Sequence, residues 1–128
     1  RMGLFDGILI KDNHIALAGG VAPAVKSALA AAPPGVRVQV EVETLDDAVA
    51  ACDAGADFLL LDNCTPEALA RIVAAVGSRA SLEASGGITL ENARAVAETG
   101  VERISVGALT HSAPAADISL EILPGAEA

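Results

Sequence analysis

Lys11, Glu41, Glu43, Asp62 and Glu83 stand at or near the ends of short apolar runs, in "ILIKDNHI", "VQVEVETL", "FLLLDN" and "SLEAS". Side chains alternate faces along a strand. Val38, Val40 and Val42 therefore share one face, and Gln39, Glu41 and Glu43 the other. Leu82 and Ala84 likewise oppose Glu83 and Ser85, and Leu60 lies with Asp62. Carboxylates on a strand face cost several kcal/mol each unless they are paired or bound to a metal. Their partners should be cations: Mg²⁺, Lys11 or an arginine. Two glycine motifs follow, "SGGI" from Ser85 and "SVGALTHS" from Ser105, each between a strand-like run and a helix-like one. Glycine lets backbone approach a ligand closely, and helix N-termini present N–H groups to anions. Either motif alone reads as a turn; at two consecutive strand ends they read as a phosphate cradle. His14 and His111 have no nucleophile near them in sequence and are assigned loop or structural roles. No Ser-His-Asp order, Walker loop or zinc spacing is present.

The elements that must position these groups alternate regularly. Strand-like runs fall at Ile8–Ile10, Val36–Val42, Phe58–Leu61, Ser81–Ala84 and Arg103–Val106, with helical spacing over Ala22–Ala32, Leu45–Ala54, Pro66–Val76 and Leu90–Glu98. From the second run on, strands recur about every 21–24 residues, one strand–helix unit each, which predicts a parallel sheet. Thr44 with Asp47, Thr65 before Pro66, and Thr89 are expected to cap helices. Gly55, Gly77 and Gly100 suit left-handed stops. "DISLEIL", Asp117 to Leu123, is expected to form a last strand, and residues 124–128 a loose tail. A polar strand face opposite a helix-covered one suits an α/β barrel better than a doubly wound sheet, where both faces are apolar. A closed barrel needs eight strands and typically ~250 residues. An open doubly wound sheet or a flat sheet of fewer strands could also hold these units; if the sheet is that of a barrel, the chain holds only part of one.

The chain has 128 residues, 52% of them hydrophobic, with only two aromatics, Phe5 and Phe58, so the core must be aliphatic. A formal net charge of −9 argues against nucleic acid and anionic membrane surfaces as partners. No apolar run approaches the ~20 residues of a membrane span, and no signal peptide is expected. Cys52 in a helix and Cys64 in a loop lack C-x-x-C spacing and are expected to stay reduced, which suits the cytoplasm.

Taken in order, "RMGLFDGILIKDNHI", "VEVETL", "LLLDN", "EASGGI" and "TGVERISVGALTHS…DISLEI" resemble the C-terminal part of the quinolinate phosphoribosyltransferase family over nearly the whole chain. The resemblance implies a pentosyltransferase. Quinolinate and phosphoribosyl pyrophosphate, with Mg²⁺, would give nicotinate mononucleotide, pyrophosphate and CO₂ on the way to NAD. It implies a homo-oligomer, dimer or hexamer, in which this chain is the later portion of an open α/β, TIM-like barrel behind an N-terminal domain. It assigns Arg1 and Lys11 to quinolinate carboxylate and pyrophosphate. Glu41 and Asp62 fall to the ribose and Mg²⁺, as catalytic acids beside Lys11. Ser85, Gly86 and Gly87, with Val106, Gly107 and Ala108, fall to the 5′-phosphate.

The N-terminal domain and first barrel strands of that family have no counterpart here. Of eight lysines and arginines, only Arg1 and Lys11 fall at expected site positions. Two cations do not balance a dicarboxylate and a triply phosphorylated sugar, so the isolated chain is expected to be inactive. Two other readings are a paralogue, such as the molybdenum-associated one, with altered base contacts, and a non-catalytic phosphate-binding or assembly domain.

Overall fold

The computed structural model describes residue 3 and residues 5–122. The elements run β1 (Gly7–Ile10), α1 (Asp12–Ala18), α2 (Val21–Ala31), β2 (Arg37–Val42), α3 (Leu45–Asp53), β3 (Phe58–Asp62), α4 (Pro66–Val76), β4 (Ser81–Ser85), α5 (Ala93–Ala97), β5 (Arg103–Ile104) and α6 (Ala108–His111). The strands form one sheet in the order β1-β2-β3-β4-β5, every pair parallel. A doubly wound sheet reverses strand order at a switch point. None occurs here, and the winding is that of an α/β barrel.

Register carries the alternation across the sheet. Ile10 pairs with Val40, Val40 with Leu59, and Leu59 with Leu82, so the apolar residues of successive strands line one face. That face is buried under the helices. Val40, Leu59, Leu61, Leu69, Ile72, Val25 and Val76 are its largest fully enclosed side chains. Burying a Leu or Ile there is worth about 1.5–3 kcal/mol. The other face carries Leu9, Gln39, Glu41, Leu60, Asp62, Glu83 and Ser85, as their register with one another requires.

Local chemistry sets most boundaries. Thr44 and Thr65 accept the backbone N–H groups of Asp47 (3.1 Å) and Ala68 (3.3 Å), and Pro66 opens α4. Gly55 (φ 101°) and Gly100 (φ 91°) take the left-handed conformation after their helices. Gly77 does not: its φ is −62°, and it is small because a Cβ would come 2.6 Å from the Val73 carbonyl.

Three further expectations differ. α1 occupies what reads as a polar strand end, and His14 secures its start by accepting the Lys11 backbone N–H through Nδ1 at 3.0 Å. A structural role for His14 is thus observed. α1 and α2 then bend by 97° across Gly19–Gly20. Among the described residues no single helix is long and apolar enough to cross a membrane.

Thr89 is not a hydroxyl cap for a helix at Leu90. Its own N–H donates to Asn92 Oδ1 (2.8 Å), residues 90–92 form a turn, and α5 begins at Ala93. Residues 117–122 are not a strand, and Leu123 lies outside the described residues, as does the expected tail. Strand alternation needs a ladder partner. β5 pairs over only two residues, and the backbone link from Ser105 to Ala84 (2.9 Å) extends that ladder by one residue.

Candidate active site

The carboxyl ends of β1 to β4 bring the expected acids and lysine to one rim. Lys11 ends β1 and pairs through Nζ with Glu41 Oε2 at 2.5 Å. Glu41 sits next to Leu60 in the ladder, and Asp62, two residues on along β3, faces the same way and registers with Ser85 of β4. The Lys11 side chain is half exposed and that of Glu41 14% exposed, so the pair opens to solvent from the lysine side. The hydrogen bond to Glu41 raises the Lys11 pKa above its ordinary value; partial burial opposes this, and the charges of Glu41, Asp62 and Asp12 add to it. Lys11 is therefore a firm cation at neutral pH.

Glu43, expected on the same face, lies one residue past β2 and is exposed. Glu83 lies lower, on the wall of the polar face. It accepts Gln39 Nε2 (3.1 Å) and Ser105 Oγ (2.5 Å). Below it, Arg37 from the start of β2 and Arg103, in register with Glu83 on β5, each place their guanidinium over the Phe58 ring, 4.6 and 4.5 Å from its centroid. These three with Gln39 and Glu83 line a cavity of about 570 Å³. The two arginines thus belong to the floor of the polar face, away from the rim.

The glycine turns leave neighbouring strands. Gly86 (φ 86°) and Gly87 (φ 61°) are both left-handed, which a side chain adopts only at a cost. Asn92 Nδ2 holds the Gly87 carbonyl at 2.9 Å, closing the turn on itself. The second loop is different. Gly107 is right-handed (φ −58°), and its carbonyl receives the N–H groups of Thr110 (2.9 Å) and His111 (3.1 Å) at the start of the four-residue α6. Val106 packs half-buried on the core, and Ala108 opens α6. His111 packs at this loop, its Nδ1 2.7 Å from Ser112 Oγ. Arg1 lies outside the described residues.

Sequence reasoning missed Asn63 and Asn92. Asn63 has a left-handed backbone (φ 51°), and its Nδ2 donates to Asp62 Oδ2 at 2.6 Å. Its side chain fills the space a Cβ on Gly86 would take. Both residues were visible, in "LLLDN" and "LENAR", but nothing in those strings distinguishes a turn-holding asparagine from a solvated one.

No group of three or more His, Cys, Asp or Glu placed to hold a metal ion occurs among the described residues. Glu41 is shared with Lys11 and Asp62 with Asn63. This donor set does not form a protein cage. It suits a hard cation that takes one or two carboxylates and completes its shell with phosphate oxygens and water. Cys52 and Cys64 are free thiols packed against the core, and burial pushes both up, leaving them protonated. The rim as a whole can hold an anion at Lys11, stabilise positive charge at Glu41 and Asp62, and wrap a phosphate with backbone at Ser85–Gly87.

The profile of the quinolinate phosphoribosyl transferase C-terminal domain matches residues 1–121. A probable nicotinate-nucleotide pyrophosphorylase (carboxylating) of Bacillus subtilis is 46% identical over 122 residues, 95% of this chain and 42% of the relative. The human nicotinate-nucleotide pyrophosphorylase (carboxylating) is 45% identical over 118 residues, 90% of this chain and 40% of the relative. The chain thus spans less than half the length of these relatives. The solved nicotinate-nucleotide pyrophosphorylase of Francisella tularensis superposes with a TM-score of 0.78 at 44% identity, covering 86% of this chain and 39% of that one. A thiamine phosphate pyrophosphorylase of Pyrococcus furiosus superposes with a TM-score of 0.62 at 28% identity, covering 79% of this chain and 48% of that one. Sequential parallel strands, acids gathered at their carboxyl ends and a profile match running from Arg1 to Glu121 agree, and the chain belongs to the quinolinate phosphoribosyltransferase family as its C-terminal domain.

Proposed function

We propose that this chain supplies the acid-and-phosphate wall of an active site that transfers a phosphoribosyl group to quinolinate with loss of CO₂. The observation that carries this reading is the Lys11–Glu41 pair with Asp62 on one rim, next to a double left-handed glycine turn. The pyridine nitrogen attacks the anomeric carbon as its bond to pyrophosphate breaks. Glu41 and Asp62 stabilise the positive charge that develops on the ribose. Lys11, with Arg1, holds a substrate carboxylate or the departing pyrophosphate. The pyridinium then takes up the electrons of the C–C bond that breaks to release CO₂, and the ring carbon is protonated from solvent. Ser85, Gly86 and Gly87, with Val106, Gly107 and Ala108, hold the 5′-phosphate. Mg²⁺ at Glu41 and Asp62 would neutralise phosphate charge when bound.

The rim offers few cations to a substrate pair this anionic. The remaining positive charge is supplied by other parts of the protein or by a neighbouring subunit of a homo-oligomer, with the barrel completed around the open polar face. A cytoplasmic setting fits the two protonated thiols. The test is formation of nicotinate mononucleotide from quinolinate and phosphoribosyl pyrophosphate with Mg²⁺. The complete reading frame that encodes this chain is expected to turn over, and Asp62→Asn to lower kcat about 100- to 1000-fold. The isolated chain is expected to be silent. A complete protein without turnover, or one indifferent to Asp62→Asn, refutes the assignment. Turnover by the isolated chain refutes the need for outside cations.

A further inference from the structure

Asn63 contacts the two halves of the rim at once. Its Nδ2 donates to Asp62 Oδ2 at 2.6 Å, and its backbone N–H donates to the Ser85 carbonyl at 2.9 Å. Its side-chain carbonyl occupies the position a Gly86 Cβ would need, and its backbone nitrogen lies 2.8 Å from that position. It does this from a left-handed backbone, φ 51°, where asparagine is one of the few side chains tolerated. An exposed asparagine held in this conformation, bonded to a site acid and pressed against the turn beyond it, does more than end β3.

We propose that Asn63 is a positioning residue that sets the spacing between the Asp62 carboxylate and the Gly86–Gly87 turn, and so the fit of a 5-phosphorylated pentose across them. This rests on the proposed function for the identity of the sugar. With Oδ2 engaged, Asp62 is oriented to present its other oxygen to the sugar. With the Asn63 amide against Gly86, the turn cannot collapse toward β3. Sugar hydroxyls and 5′-phosphate are then read at a fixed distance.

The test uses the complete reading frame, with ribose 5-phosphate as probe in titration calorimetry and inorganic phosphate as the shorter comparison. Asn63→Gly keeps the left-handed backbone and removes the amide. It is expected to weaken ribose 5-phosphate about 10- to 100-fold while changing inorganic phosphate less than threefold or so. Asn63→Asp keeps size and turn preference but sets an acceptor against Asp62, and is expected to weaken the sugar phosphate further. In turnover, KM for phosphoribosyl pyrophosphate should rise with kcat less affected; a variant that is merely less folded would lower the active fraction and leave KM alone. Gly86→Ala should cost less in the Asn63→Gly background than in wild type, because the side chain it strikes is gone. Equal losses for both probes, or wild-type affinity in Asn63→Gly, overturn the inference. Binding needs no turnover, so a protein that binds but does not react would refute the proposed reaction and leave this inference standing. A wild type that binds neither probe refutes both.

Discussion

Lys11 is where charge, geometry and pH meet. Its hydrogen bond to Glu41 raises its pKa, so its charge persists above the ordinary lysine value of 10.5. The pair's contribution is fully present below the unfolded lysine's pKa and fades only as pH rises through the folded one. Because the lysine is half exposed, the effect on folding is small, within the ~0–1 kcal/mol of solvent-screened pairs. The consequence is for binding. Affinity for an anionic substrate should show no lysine-dependent loss until the strongly alkaline range. Glu41→Gln, which removes the hydrogen-bonded charge, should move that loss to lower pH. Titration calorimetry of the complete protein with quinolinate across the alkaline range measures it, and an unmoved alkaline limb would refute the coupling. The partners of Lys11 were legible as residue types in the sequence, since four strand-end acids demand a cation. Asn63 was not, because its role depends on a backbone angle and on a glycine 23 positions away that only the sheet register brings alongside.

At the scale of elements, two-residue alternation made the faces readable and the helix ends less so. Val38, Val40 and Val42 against Gln39 and Glu41 fixed which side of β2 meets the helices, and pairing carried that choice to β1, β3 and β4. α1 was hidden because Lys11, Asp12, Asn13 and His14 read as a polar strand end, while the helix is held by a backbone-to-imidazole bond that has no periodicity. The start of α5 slipped from Leu90 to Ala93 because Asn92 bonds to both Thr89 and Gly87, competing with the first helical turn. β3 offers the sharpest check of the faces. Leu61 is fully buried beneath the helices, whereas Leu60 is half-buried on the polar side with Asp62. Leu61→Ala should destabilise by about 2–5 kcal/mol, and Leu60→Ala by clearly less. Urea unfolding measures both, and equal losses would mean that the register has been misassigned.

The whole molecule has a parallel sheet with helices on one face and a polar face on the other, and its outer strands are short. β1 has four residues and β5 two, and each presents one unpaired edge among the described residues. Beyond β5, Ile118, Leu120 and Ile122 are 85%, 93% and 91% exposed and alternate with Asp117, Ser119 and Glu121. An alternating apolar segment with no ladder partner among the described residues is a pairing liability. The family match includes Ile118 and Leu120 and reaches Glu121, which makes this stretch part of the domain. Opposing association is the net charge of −9, which repels like copies over about a Debye length, ~10 Å at 0.1 M salt. The two effects predict a sign. Isolated, this chain should associate with increasing concentration in sedimentation, and more strongly as salt screens the repulsion. Replacing Ile118 and Leu120 with Asp should abolish the association while leaving the far-UV circular dichroism of the barrel segment unchanged, since neither side chain touches the core. A chain that stays monomeric at high salt would refute the association, and a doubly substituted chain that still associates would move the sticky surface to the open sheet edges or the polar face.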